Sequence, residues 1–188
     1  MTRSLPALLG SRPAAAALVL ALGLALATTL GAAAPASAAG ATLDDPVGDT
    51  WGPGLDLTSA TLRNLDHRLV VEVAVDRAVR GDLVVSVDPR HATGVRLVSK
   101  YRPQGHTHSF VLAGAFSDGG DGRSSRVTCR GFRVRWSEGA PTARLVMPAR
   151  CLDHGRYGAL RFAVLTERGS DTDWAPDGAA ASPWVPRG

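Results

Sequence analysis

Lysine, asparagine and isoleucine are almost missing from this chain of 188 residues: Lys100 is the only lysine, Asn64 the only asparagine, and isoleucine is absent. That bias follows from GC-rich coding and says nothing about function, except that arginine must carry nearly all the positive charge. Glutamate is scarce too, and Glu72, Glu138 and Glu167 lie far apart, so no paired-glutamate motif stands in the sequence. There is no G-x-S-x-G, no H-E-x-x-H and no phosphate-binding glycine loop, which removes the common hydrolase, metalloprotease and nucleotide-binding signatures. Beyond the first forty residues no segment shows a convincing apolar period of 3.6, so amphipathic helices are not expected. The arginines are scattered at strand edges and turns among aspartates, without a basic stripe and interleaved aromatics, and nucleic acid is not an expected partner.

The N-terminus has a different character. Arg3 and Arg12 precede an Ala- and Leu-rich run without charge, and Ala36 and Ala38 then give the small-x-small pattern that a signal peptidase reads. The expectation is a signal peptide over residues 1–38, cleaved after Ala38, and a mature chain over 39–188. Its loss lowers the net charge from +4 to +2, since 19 basic residues then stand against 17 acidic ones. No cysteine lies near the cleavage point to carry a lipid, and "SPWVPRG" offers no apolar tail, so the product is expected to be secreted to the extracellular space without stable membrane insertion. Cys129 and Cys151 are the only cysteines, an even number in an exported chain and without C-x-x-C spacing. They predict a disulfide.

In the mature chain the dominant period is two. "RLVVEVAV" places Leu69, Val71, Val73 and Val75 on one face, "DLVVSV" repeats this with Leu83, Val85 and Val87, and "VRLVSKY" alternates Val95, Leu97 and Ser99 with a solvated face of Arg96, Val98 and Lys100. "FRVRW" points Phe132, Val134 and Trp136 inward, with Arg133 and Arg135 outward. With "LTSATLR", "HSFVLAG", "ARLVM" and "ALRFAVLT", about eight strands result, joined by turn-forming segments such as "VRGD", "SDGGDG" and "RGSD". The expected fold is all-β: one antiparallel β-sandwich, jelly-roll-like, over residues 39–188. "MPARCLD" predicts at most one helical turn opened by Pro148.

Two acidic segments flank these strands. "DDPVGDTWGPGLDL" carries Asp45, Asp49 and Asp56; "GSDTDWAPDG", read as a loop after the last strand, carries Asp171, Asp173 and Asp177. The ends of a domain often lie close together, so these carboxylates could converge and supply oxygens for calcium. Ordinary turn chemistry, in which each aspartate accepts hydrogen bonds from its own backbone, is the reading that residue type favours, and neither segment matches the usual calcium-loop signature. Trp51 and Trp174 sit in the same two segments; they either plug the open end of the sandwich or stand exposed to stack on a sugar ring. His106 and His108, two apart on a strand, have a spacing that zinc accepts, but two ligands do not make a site. Arg80, Gly81 and Asp82 spell an adhesion tripeptide at a place where a turn must join two strands.

The succession "DPVGD", "DLTSATL", "LVVEVAV", "MPARCL" and "DTDWAPDG" resembles a group of small secreted proteins of GC-rich bacteria, and is similar to β-sandwiches of the carbohydrate-binding-module-9 and DOMON-like type. The resemblance implies a sandwich that in some members holds calcium and a sugar or haem ligand. For this chain the expectation is a secreted, non-enzymatic module that binds a cell-wall or extracellular glycan or another secreted protein, with calcium as its only cofactor. The alternative is a small glycan- or peptide-cleaving enzyme that draws its acid and base from the loop aspartates.

Overall fold

A computed structural model describes residues 39–50, 52, 54–102, 107–118, 124–137 and 139–188. The expected signal peptide, Trp51 and His106 lie outside the described residues. Eleven strands form: β1 (Gly40–Asp44), β2 (Leu57–Leu65), β3 (Arg68–Val75), β4 (Asp82–Pro89), β5 (Val95–Tyr101), β6 (Thr107–Ala113), β7 (Arg126–Val127), β8 (Arg133–Trp136), β9 (Thr142–Pro148), β10 (Leu160–Arg168) and β11 (Asp171–Ala175). They make two antiparallel sheets, of order β1-β2-β3-β9-β8 and β11-β10-β4-β5-β6-β7. The fold is thus an all-β sandwich. Its strands outnumber the eight read from the sequence because β1, β7 and β11 lack an apolar alternation strong enough to announce them.

The core lies between the sheets and follows the period of two. Leu69, Val71 and Val73 of β3, Leu145 and Met147 of β9, Leu83, Val85 and Val87 of β4, and Leu160, Phe162 and Val164 of β10 are all buried. Each such apolar side chain, taken fully out of water, contributes about 1.5–3 kcal/mol before its entropy cost. Trp136 joins the core edge, and its indole N–H donates to Ser99 Oγ at 3.1 Å, which satisfies the one polar atom of each side chain there. The solvated face expected for β5 is only partly solvated: Val98 is buried, as are Ser86 and Ala163 on the same outer side. The short 3₁₀ turn Phe116–Asp118 folds over this region, with the Phe116 N–H donating to Ser86 Oγ at 2.9 Å.

The two lateral seams of the sandwich are closed differently. At the β7/β8 seam, where the chain crosses from one sheet to the other, Cys129 and Cys151 form the expected disulfide. Pro148 precedes a 3₁₀ turn, Ala149–Cys151, that presents Cys151 to it. At the β1/β11 seam the acidic segments meet. Gly81 of the adhesion-like tripeptide is buried between β3 and β4, where a Cβ would clash with the Leu55 side chain and come within 2.9 Å of the Glu167 carbonyl oxygen. Asp82 begins β4 and accepts the Tyr101 N–H at 2.7 Å, so this tripeptide does structural work.

Asn64, the only asparagine, anchors the C-terminal tail. Fully buried, it donates from Nδ2 to the Gly158 and Val185 carbonyls at 3.2 Å each, while its backbone carbonyl accepts the Gly188 N–H at 3.0 Å. Asn64→Ala removes both bonds, leaving the Val185 carbonyl with the Leu160 N–H alone, and is expected to cost about 1–2 kcal/mol. Urea denaturation would measure the loss, and faster amide exchange confined to residues near Val185 would place it at the tail.

Candidate functional site

β1 and β11 are the edge strands of different sheets, and at their shared seam the apolar core runs out. Strand parity then turns polar residues inward. Along β1, Leu43 faces the core, so Asp45, two residues further and still bonded to β2 through its N–H to the Thr58 carbonyl at 3.2 Å, points inward as well. On β11 the inward positions are Asp171, Asp173 and Ala175. The segment read as a loop after the last strand is therefore itself a strand, paired with β10 from Val164 to Arg168, and its two aspartates share a face for that reason.

Carboxylate oxygens of Asp45, Asp49 and Asp173 come within 4.8 Å of one another. Asp45 and Asp173 are only 8% and 5% exposed, while Asp49 reaches in from the solvent side. The structure thus brings together one strand end, one loop residue and one edge-strand residue from segments more than a hundred positions apart. Asp56 and Asp177 lie near enough to raise the electrostatic cost of a charge on Asp45, and neither belongs to the tight trio. Asp171 is elsewhere: it lies against Gly52 and Gly54, where a Cβ on Gly52 would come within 2.8 Å of its carboxylate oxygens and one on Gly54 within 2.8 Å of its own Cβ. Gly52 also holds a φ of +77°, which glycine adopts at no steric cost.

Backbone amides, one of them from a distant strand, partner two of these aspartates. Asp173 Oδ2 accepts the Leu57 N–H at 2.6 Å and Oδ1 accepts the Trp174 N–H at 2.8 Å. The Leu57 amide is free to turn away from β3 because the β2/β3 register shifts between Leu57 and Ser59, a bulge that re-aims one residue. Asp56 Oδ2 accepts the Gly48 N–H at 2.7 Å. For Asp45 turn chemistry offers nothing: both carboxylate oxygens are buried without a hydrogen-bond partner. Two carboxylates at about 4.8 Å repel by about 3 kcal/mol at an effective dielectric near 20, more than a single turn hydrogen bond returns. Burial first, then the charges of Asp173, Asp49, Asp177 and Asp56, push the Asp45 carboxyl up to about 7. Asp173 is raised as well, by burial and by Asp49 and Asp56, against the two N–H bonds that hold it down.

An all-oxygen, anionic donor set suits a hard divalent cation and excludes the thiolate and imidazole sites of softer metals. Irregular loop geometry favours calcium over magnesium, which demands a near-octahedral shell. The same loop carries further buried oxygens without partners, Asp56 Oδ1 and Thr50 Oγ1.

The aromatic residues are arranged differently from the sequence expectation. Trp174 does not plug the interior: its parity on β11 turns it to the outer face, half-buried, with its ring edge-to-face against Phe116 at 5.0 Å. Trp184, near the C-terminus, is 38% exposed, with the Arg90 and Arg161 guanidinium carbons 4.8 and 5.1 Å from its ring centroid. His108 is exposed on β6, opposite Lys100. Among the described residues no helix is long and apolar enough to cross a membrane.

Fold and cluster together define an antiparallel β-sandwich with a carboxylate pocket at one seam. Compared with known proteins, the chain matches no protein-family model and no curated relative by sequence.

Proposed function

We propose that this protein is a secreted, non-enzymatic binding module for an extracellular or cell-envelope ligand, and that a structural calcium ion held by Asp45, Asp49 and Asp173 fastens its two terminal segments. The observation that supports the cation is Asp45, a buried carboxylate with no hydrogen-bond donor of its own, aimed at two other carboxylates. Calcium neutralises most of three negative charges at once and turns a repulsive seam into a clamp between the two sheets. The binding role rests on the N-terminal export pattern, the disulfide and a sandwich of edge strands and loops without a recognisable catalytic motif.

A thermal melt tests the cation. Calcium at about 100 times its dissociation constant stabilises by about 2.7 kcal/mol. For a domain of this size that raises the midpoint by about 5–10 °C over the EDTA-treated protein. An unchanged midpoint removes the calcium. Retention on insoluble cell-wall material tests the binding role, and a native N-terminus at Ala39 in the culture medium tests export.

One feature favours the enzymatic alternative. A carboxyl raised to about 7 beside an exposed carboxylate is the pairing that glycan hydrolysis uses. New reducing ends released from a soluble glycan by the wild type, and lost in Asp49→Asn, would carry that reading in place of the module.

A further inference from the structure

Arginines that are scattered in the sequence are gathered by strand register onto the outer face of the five-stranded sheet. One cross-strand row there is Thr61, Glu72, Arg144 and Arg135, and the next is Arg63, Val70, Val146 and Arg133; Arg68 stands one step further along β3. Arg68, Arg133 and Arg135 are exposed, and the Arg63 and Arg144 side chains are each 47% exposed. Against these five cations the strands of this face carry, among the described residues, Glu72, ion-paired with both Arg63 and Arg144, and Asp44 at the far edge on β1. A depression of about 280 Å³ lies beside Glu72, Arg135, Ser137, Thr142 and Arg144.

Among the described residues the strands of the opposite outer face carry Arg96, Lys100, Arg126 and Arg161 against Asp82, Asp88 and Glu167, with Lys100 paired to Asp82 at 3.4 Å and Arg161 to Asp88 at 2.8 Å. The cationic excess is therefore larger on the five-stranded sheet. Arg135 stands directly across from Arg144, a like-charge pair that weakens a sheet. Guarding an exposed edge would explain charges on β8, the edge strand, but not Arg144 and Arg63 on the interior strands β9 and β2.

The chemistry of the face selects among anions. Among the described residues its outward positions hold no aromatic side chain, so it offers no platform for neutral sugar rings or for stacked bases. Among the described residues the large exposed apolar ones, Val47 and Trp184, are on other parts of the molecule, so none of them gives the charge an apolar anchor for a bilayer. What remains is a strip of guanidinium groups that crosses the strands from β2 to β8, three strand spacings or about 14 Å.

We propose that this face binds a linear anionic polysaccharide, the arginines gripping carboxylates borne on successive sugar units. Guanidinium and carboxylate match in planar, two-point geometry. Each exposed contact is weak, but contacts along one chain reinforce one another, so binding requires length. This deepens the binding-module reading by naming a ligand class, and it is independent of the cation pocket at the other seam.

Polyglucuronate is the probe, with the purified protein kept in EDTA throughout so that calcium held by the polymer or the pocket plays no part. The protein is expected to bind the polymer but not monomeric glucuronate, with affinity that falls steeply as salt rises. Arg135→Ala with Arg144→Ala should weaken binding on the order of tenfold. Glu72→Gln, which releases Arg63 and Arg144 from their carboxylate, should tighten it several-fold. All these side chains are exposed, so unchanged melts are expected to confirm folding of the variants. Equal binding by the double arginine variant, equal retention on neutral dextran, or tighter binding to single-stranded DNA or to anionic vesicles would overturn the proposal. Any of these results leaves the calcium-dependent melt unaffected, so the two readings fail separately.

Discussion

In calcium-free buffer the protein is expected to lose stability as the pH is raised from about 4 to about 7, the reverse of what paired surface carboxylates produce. The cause is Asp45. Its carboxyl is raised in the folded protein from an ordinary value of 3.8 to about 7, by burial and then by the surrounding aspartates. A group whose folded value lies above its unfolded value stabilises fully below the unfolded value and loses that contribution as pH climbs through the folded one. The window is therefore from about pH 4 to about pH 7, and Asp173, raised for the same physical reasons, pulls in the same direction. The loss is on the order of 4 kcal/mol, which lowers the melting temperature by about 8–16 °C.

Asp45→Asn keeps the shape of the side chain and removes its charge. At the alkaline end in EDTA this variant should be more stable than the wild type, and its pH dependence should be reduced to the part that Asp173 contributes. With calcium added the order reverses, because the wild type gains the cation and the variant gains little. A substitution that stabilises without calcium and destabilises with it is the signature of a carboxylate retained for an ion. If Asp45 is an ordinary turn residue, neither the acid-favoured melt nor the reversal occurs.

The second large effect is at the opposite seam. The Cys129–Cys151 disulfide closes a loop with a sequence separation of 22, and β8 and β9 lie within that loop. Constraining the unfolded chain over that length contributes about 3 kcal/mol. Replacing both cysteines with serine is expected to lower the urea midpoint accordingly with little change in its slope. Because the disulfide and the carboxylate pocket close different seams, the increment given by calcium should survive the substitution. A serine variant that loses the calcium increment as well would show that the two seams are coupled, contrary to this account.

The sequence announced the fold where inward positions are aliphatic. Leu69, Val71 and Val73, or Leu160, Phe162 and Val164, alternate so plainly that their strands are legible without coordinates. β11 was not legible because its inward positions are Asp171, Asp173 and Ala175, and a strand that turns carboxylates inward looks like a polar loop. That violation of the core pattern is itself the mark of the site, since local rules tend to fail where a structure serves something other than packing. The convergence of the acidic segments was legible as a possibility. Which aspartates meet was not: Asp171 and Asp173 are two apart on the same face, yet Asp171 is taken up beneath Gly52 and Gly54 while Asp173 enters the trio. The arginine face was hidden for a related reason, because cross-strand register, and not spacing along the chain, sets Arg63, Arg144 and Arg135 on one surface.

Calcium titration by calorimetry, on the wild type and on Asp45→Asn at about neutral pH, addresses the central claim directly. The wild type should bind one calcium ion per chain with a heat that depends on the buffer, because the cation displaces the proton that Asp45 partly holds near pH 7. Asp45→Asn should show no such binding. No calcium binding by the folded wild type, or equal binding by the variant, would contradict the claim that these carboxylates converge on a cation.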